Sequence, residues 1–268
     1  MRAYSLNDVH ATRKRKDSWW TVFLVDPVAC RLTLAVANRT DVTPNGLTRL
    51  SLLLGLGSAV CFALGQVVAG AALFYVSFMV DCMDGKIARL KGTGTPFGLW
   101  LDYVGDRIRV VCCATGLAFG QYAASGDVSF VLLGAGVAVL DLFRYVNAPQ
   151  MRRVREAVRE NRAEQPQKDR AAAYRPPKPP SLRRRIGRLL IRHRVRTHLI
   201  SGIEFHAAVF VVGPLLSAQA GPAVLIPIAA VAGSLLLLNE TVLIYRMWRF
   251  TRSTPFVPRP GNTQRVPV

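Results

Sequence analysis

Residues 67–106 read VVAGAALFYVSFMVDCMDGKIARLKGTGTPFGLWLDYVGD. The first fourteen, Val67 to Val80, carry no charge, and four aspartates, Asp81, Asp84, Asp102 and Asp106, then fall within 26 positions. Read as helix, Asp81 and Asp84 stand at i and i+3 and share a face with Gly85 and Ala88, while Gly98, Asp102 and Asp106 stand at i, i+4 and i+8 and form a second stripe. A short loop joins the two helices, so they pack antiparallel and bring both acidic stripes to the same end. Gly85, Ala88 and Gly98 let the backbones, or a ligand, approach closely.

Outward from this stretch the chain is segregated. It has 268 residues, is 51% hydrophobic, and yet carries 35 Lys and Arg against 16 Asp and Glu, a formal charge of +19. Apolar stretches at 46–80, 107–140, 198–220 and 221–245 are each longer than a soluble core helix requires. The first divides at Gln66–Gly70 and the second at Ser125–Asp127, where turn chemistry is available. Six spans follow, at 46–65, 67–90, 95–122, 128–147, 198–217 and 221–247. The loops around Gln66, Asp127 and Gln219 contain no Lys or Arg, so every basic cluster lies on one side. By the positive-inside rule both termini and the aspartates are cytoplasmic, in a multi-pass protein of the cell membrane.

Trp19, Trp20 and Phe23 suit an interfacial aromatic belt, and Asp26 with Pro27 suits the N-cap and first residue of an amphipathic helix running to about Asn38. A cleaved signal peptide is disfavoured, because Asp26, Pro27 and Arg31 leave only a short apolar core. The expected fold class is therefore all-α, with six transmembrane helices preceded by an interfacial helix. Its divisions are a basic tail and interfacial helix at 1–42, spans one to four at 43–147, a basic cytoplasmic segment at 148–197, spans five and six at 198–247, and a tail at 248–268. The five cysteines lack metal-ligand spacing and read as small buried hydrophobes.

Charged side chains at membrane depth cost about 2.5–3.5 kcal/mol each near the centre, so four aspartates require a counter-charge. Three readings satisfy that requirement. Arg89, Arg107 and Arg109 pair with the acids in a packing network; the acids line a cation pathway; or two divalent cations neutralise all four. All-oxygen ligands suit Mg²⁺ or Mn²⁺ rather than zinc, and a two-metal site clamps the attacking and leaving oxygens of a phosphoryl displacement.

The order Asp81-x2-Asp84-Gly85-x2-Ala88-Arg89-x8-Gly98-x3-Asp102-x3-Asp106 resembles the signature of the CDP-alcohol phosphotransferase family at every one of its eight fixed positions. The likeness extends to Pro44-Asn45-x-x-Thr48, the lead-in helix and the six spans, but not to the first 18 residues, the basic segment or the last dozen residues. The resemblance implies that Asp81 and Asp102 are ligands shared by two Mg²⁺ or Mn²⁺ ions, that Asp84 is a ligand of one, and that Asp106 is a ligand of the other and the general base. It implies further that Asn45, Thr48, Gly85, Ala88, Arg89, Thr95 and Gly98 line the site of a CDP-linked donor, with CDP-diacylglycerol the leading candidate and a soluble CDP-alcohol the alternative. Transfer to an acceptor alcohol would release CMP in phospholipid synthesis, and the implied assembly is a homodimer.

The signature does not name the acceptor. Arg109, Arg144, Arg192, Arg196 and Arg246, at cytoplasmic ends of later spans, are candidates to bind a polyol phosphate, and each is equally well read as a flank meeting lipid headgroups. Glu204, His206 and Glu240 either line an acceptor pocket or pair across the bundle. The segment 148–197 holds sixteen basic residues against four acids, with a stiff Pro-rich hinge at Pro176–Pro180. Met151–Arg162 is expected to continue span four, and Leu182–Arg196 to lie on anionic lipid. Nucleic acid is excluded as a partner, since no aromatic interleaving or reader motif accompanies the charge.

Overall fold

The computed structural model describes residues 3–163, 189–196 and 200–252. These residues are helical throughout, apart from turns and one isolated parallel bridge between Asp17 and Val195. Helix α1 is Leu6–Ala11 and α2 is Asp26–Arg39, entered through a π turn at Thr21–Val25. The bundle then comprises α3 (Pro44–Ala63), α4 (Val67–Lys91), α5 (Pro96–Ser125), α6 (Ser129–Ala163), α7 (Gly202–Ala220, with a π segment at Ala208–Val212) and α8 (Leu225–Arg252).

Local chemistry sets these limits. Thr43 and Thr95 are N-caps whose Oγ1 atoms accept from the Gly46 and Gly98 amides at 3.1 and 2.9 Å, and each is followed by proline at the first helical position. Helix α4 stops at Gly92 (φ 67°) and α5 at Gly126 (φ 70°), the left-handed caps that glycine adopts without a Cβ clash. Asp26, expected to be an N-cap, is the first residue of α2 and caps nothing. The π turn already supplies the preceding carbonyls, and the Asp26 carboxylate pairs with Lys86 at 2.9 Å and Arg194 at 3.2 Å.

Helices α3, α4 and α5 form the tightest part of the bundle. A Cβ on Gly116 or Gly120 would run into the backbone carbonyls of Ala59 or Phe62, so α3 and α5 touch backbone to backbone. Between α3 and α4, Ser77 donates to the Ser51 carbonyl (2.7 Å) and Ser51 to the Ser77 carbonyl (3.1 Å). Phe62, Phe74, Leu117, Phe205 and Phe210 fill the centre, with the Phe74 and Phe210 rings 4.8 Å apart.

Among the described residues, six stretches are long and apolar enough to cross a membrane: Thr21–Arg39, Pro44–Ala63, Val67–Lys91, Ser129–Glu160, Gly202–Ala220 and Pro222–Arg252. The number matches the sequence expectation, and the protein is a multi-pass membrane protein, but membership differs at two places. Thr21–Arg39, expected to lie in the interface, has the length and apolarity of a span; it buries Ala29, Thr33 and Ala37 and leaves Val28 and Leu32 exposed. Pro96–Ser125 is absent from the set, its hydropathy lowered by Asp102, Asp106, Arg107 and Arg109. At 30 residues α5 is nevertheless about 45 Å long, and its arginines point at acids of neighbouring elements, as ionisable groups in a bundle do.

The expected continuation of span four is present: α6 runs through the charged segment to Ala163. The Pro-rich hinge and residues 182–188 lie outside the described residues. Residues 194–196 pack against the N-terminal segment, with the Asp17 amide donating to the Arg194 carbonyl (2.8 Å) and the Arg196 amide to the Asp17 carbonyl (2.9 Å). All five cysteines are free thiols, buried or half-buried, as expected.

Candidate active site

The acidic stripes of α4 and α5 converge as their periodicity predicts. Asp81, Asp102 and Asp106 each place a carboxylate oxygen within 4.8 Å of the others, on the wall of a cavity of about 830 Å³. Asp84 also lines the cavity but stands apart from this triplet. It is 7% exposed and accepts a 2.5 Å hydrogen bond from Thr48 Oγ1 of α3.

Arg109 supplies the fixed counter-charge. Its guanidinium is buried one turn below the aspartates, pairing with Asp106 and with Asp81 (3.3 Å) and donating to Ser51 Oγ (2.8 Å) and Ser77 Oγ (3.2 Å). The packing network weighed from sequence is therefore real, but it covers only part of the acids. Among the described residues, no Lys or Arg nitrogen lies within ion-pairing distance of Asp102. A carboxylate left unpaired beside two others, in an all-oxygen donor set, fits a hard divalent cation. Asp81, Asp102 and Asp106 would hold it, with Asp84 positioned to contribute.

Every residue that the signature resemblance assigned to the donor lines the same cavity: Asn45, Thr48, Gly85, Ala88, Arg89, Thr95 and Gly98. Gly98 is needed by α3, since a Cβ there would strike Asn45 Oδ1. The Arg89 guanidinium lies over Gly85, 3.4 Å from where a Cβ would sit. The acceptor candidates divide. Arg144 and Arg196 line the cavity. Arg109 lines it too, but its contacts commit it to the aspartates. Arg192 and Arg246 are exposed and lie outside the lining, because their positions on the short turn at 189–192 and on α8 direct them away from it.

Sequence reasoning missed several groups here. Asp141 of α6, wholly buried, accepts from Arg107 and from His206 Nε2 (2.8 Å) and lies 3.9 Å from Arg144. Arg107 also stacks on Tyr145, 3.8 Å from the ring centroid. This second cluster also lines the cavity, through Arg107, Arg144, Tyr145 and His206. An acid in the middle of an apolar span was the available signal, and Asp141 lies between Leu140 and Leu142. Lys86, inside the signature, is buried against Asp26. Arg13, Lys14 and Asp17 of the N-terminal segment also line the cavity. Of the ionisable residues singled out in the last two spans, His206 joins the site. Glu204 instead closes a capping box on Ser201 and accepts from the Trp19 amide at 3.1 Å, and Glu240 accepts from Asn147 at 3.3 Å.

This constellation coincides with a known family, since residues 41–165 match CDP-alcohol phosphatidyltransferase. That segment is similar to the CDP-alcohol phosphatidyltransferase family. It contains all four aspartates, Asn45, Thr48 and Asp141. Among curated relatives, the bifunctional IPC transferase and DIPP synthase of Aquifex aeolicus is 45% identical over 65 residues, 24% of this chain and 15% of that protein. The phosphatidylinositol phosphate synthase of Mycobacterium tuberculosis is 34% identical over 90 residues, 32% of this chain and 42% of that protein. The matches thus span less than half of either relative. A solved structure of the M. tuberculosis phosphatidylinositol phosphate synthase, with CDP-DAG bound, superposes with a TM-score of 0.50 at 19% identity, covering 88% of this chain and 98% of that one. At that identity the likeness is one of fold, and it extends beyond residue 165 into α7 and α8.

Proposed function

We propose that this chain transfers a phosphatidyl group from CDP-diacylglycerol to the hydroxyl of a polyol phosphate, releasing CMP. The observation that carries this reading is the convergence of Asp81, Asp102 and Asp106 on a cavity that eight Lys and Arg side chains also line, within a segment matching CDP-alcohol phosphatidyltransferase. The names of the relatives favour this donor over a soluble CDP-alcohol and make inositol phosphate the first acceptor to test.

Two divalent ions, Mg²⁺ or Mn²⁺, would supply charge neutralisation for the diphosphate and polarise its phosphorus. The chain's own residues do the rest. Asn45, Thr48, Gly85 and Arg89 form the wall against which the cytidine diphosphate lies, with Gly85 and Gly98 leaving room for it. Asp106 takes the proton of the acceptor hydroxyl; its side chain is 28% exposed against 15% for Asp81, so it has the better access to an incoming alcohol. The alkoxide oxygen attacks the β-phosphorus, the bond to the CMP oxygen breaks, and the phosphodiester remains with the acceptor. Arg107 and Arg144, oriented by Asp141, and Arg196 offer guanidinium groups to the acceptor's phosphate. The segregation of basic residues supports a cytoplasmic site and cytoplasmic termini. The resemblance supports a homodimer in a bilayer containing anionic lipids.

The test is CMP release by purified protein in detergent with CDP-diacylglycerol and a panel of acceptors that includes inositol phosphate and glycerol phosphate. Release that requires Mg²⁺ or Mn²⁺, and stops with chelator, is expected with one phosphorylated polyol. Absence of CMP release across the panel, with soluble CDP-alcohols as donors also silent, overturns the reading.

A further inference from the structure

The N-terminal segment precedes the family-matched region, yet it forms one wall of the cavity. Of the basic run Arg13-Lys14-Arg15-Lys16, Lys14, Arg15 and Lys16 are all exposed, but only Arg13 and Lys14 line the cavity. Arg89 Nε donates to the Thr12 carbonyl at 2.7 Å, tying the segment to the signature of α4.

A second tie comes from the far end of the basic segment. Arg194 donates through Nε (3.2 Å) and Nη2 (2.9 Å) to the Lys14 carbonyl, and through Nη1 (3.2 Å) to Asp26, which is itself paired with buried Lys86. Its backbone is left-handed (φ 61°), a conformation that residues with a Cβ seldom adopt. The bridge between Asp17 and Val195 fixes the register of the two strands of chain. Two elements far apart in sequence are thus joined to hold one lysine at the cavity. Eight Lys and Arg against six Asp line that cavity before any cation is counted, so an anionic occupant is what its electrostatics favour.

We propose that the N-terminal segment enters the donor site through Lys14, which binds the diphosphate of the CDP-linked donor, with Arg194 acting as the positioning residue that latches Lys14 in place. This rests on the phosphatidyl-transfer reading above. Lys14 lies two residues from Thr12, whose carbonyl accepts from Arg89, so it is assigned to donor rather than acceptor affinity. Arg194 acts only through Lys14, so the two are energetically coupled.

The experiment measures donor and acceptor KM and kcat by CMP release, and CDP binding by calorimetry in the presence of Mg²⁺, on the full-length protein. Lys14→Met is expected to raise the donor KM at least about tenfold, the size of a lost charge-assisted hydrogen bond, with kcat and acceptor KM little changed. Lys14→Arg retains near-normal donor KM, and Lys16→Met has no effect. Arg194→Gly, which tolerates the left-handed backbone while removing the guanidinium, raises the donor KM but adds nothing in the Lys14→Met background. An unchanged donor KM in Lys14→Met, or a rise confined to the acceptor KM, overturns the assignment of Lys14. Additive effects of the two substitutions overturn the latch. If unmutated protein neither releases CMP nor binds CDP, the functional reading falls and takes this inference with it; turnover with an unaffected Lys14→Met overturns the inference alone.

Discussion

Asp81, Asp84, Asp102 and Asp106 are chemically identical, and the fold gives each a different environment. Asp81 is held by Arg109, Asp84 accepts from Thr48, Asp102 has no ion pair among the described residues, and Asp106 is paired yet the more accessible of the Arg109 partners. The spacing of the acids told which helix faces they occupy, because i, i+3 and i, i+4 neighbours must share a face. It was silent on Thr48 as the partner of Asp84, a contact that crosses between helices, and it offered Arg89, Arg107 and Arg109 alike as counter-charges, among which burial and the contact to Asp81 on α4 single out Arg109. The difference between the acids is testable. Asp106→Asn is isosteric and keeps an oxygen toward Arg109 but cannot take a proton, so kcat for CMP release should fall by at least about 10²-fold while CDP binding persists. Near-normal turnover in that variant would remove Asp106 as the base.

At the scale of elements, the repeated Thr-Pro starts at Thr43 and Thr95 and the glycine stops at Gly92 and Gly126 are local devices, because caps depend on neighbouring residues alone. Which helices touch backbone to backbone was not readable, since the chain contains 21 glycines and only some serve contact. Gly120 meets the Phe62 carbonyl, whereas a Cβ on Gly136 of α6 meets nothing within 4 Å. Gly120→Val should therefore force α3 and α5 apart, at a cost of about 1–3 kcal/mol from overpacking, and lower both the melting temperature in detergent and the turnover. Gly136→Ala should be neutral or stabilising by about 0.5–1 kcal/mol, as expected for relieving a helix-interior glycine. Equal melting temperatures for the two variants would show that the α3–α5 contact does not hold the site together.

At the scale of the molecule, charge and hydropathy are arranged to orient the bundle. The loop between α5 and α6 contains no Lys or Arg, and α8 ends in Arg249 and Arg252. In a cysteine-free background, Val128→Cys should react with a membrane-impermeant thiol reagent from outside intact cells, and Arg249→Cys only after permeabilisation. The reverse pattern would put the aspartates on the outer side and deny them cytoplasmic CDP-linked donors. By itself the sequence determined the all-helical bundle, the number of long apolar helices and the acidic stripes, because apolar length, caps and helical period are properties of contiguous residues. Tertiary structure alone decided that Asp141 draws Arg107 and His206 together, that Arg109 belongs to the aspartates, and that Lys14 is brought to the cavity by Arg194. Apart from Arg109 with Asp106 at i, i+3, those pairings join residues 28 to 180 positions apart, where no local periodicity connects them and only the packed bundle brings the charges within reach of one another.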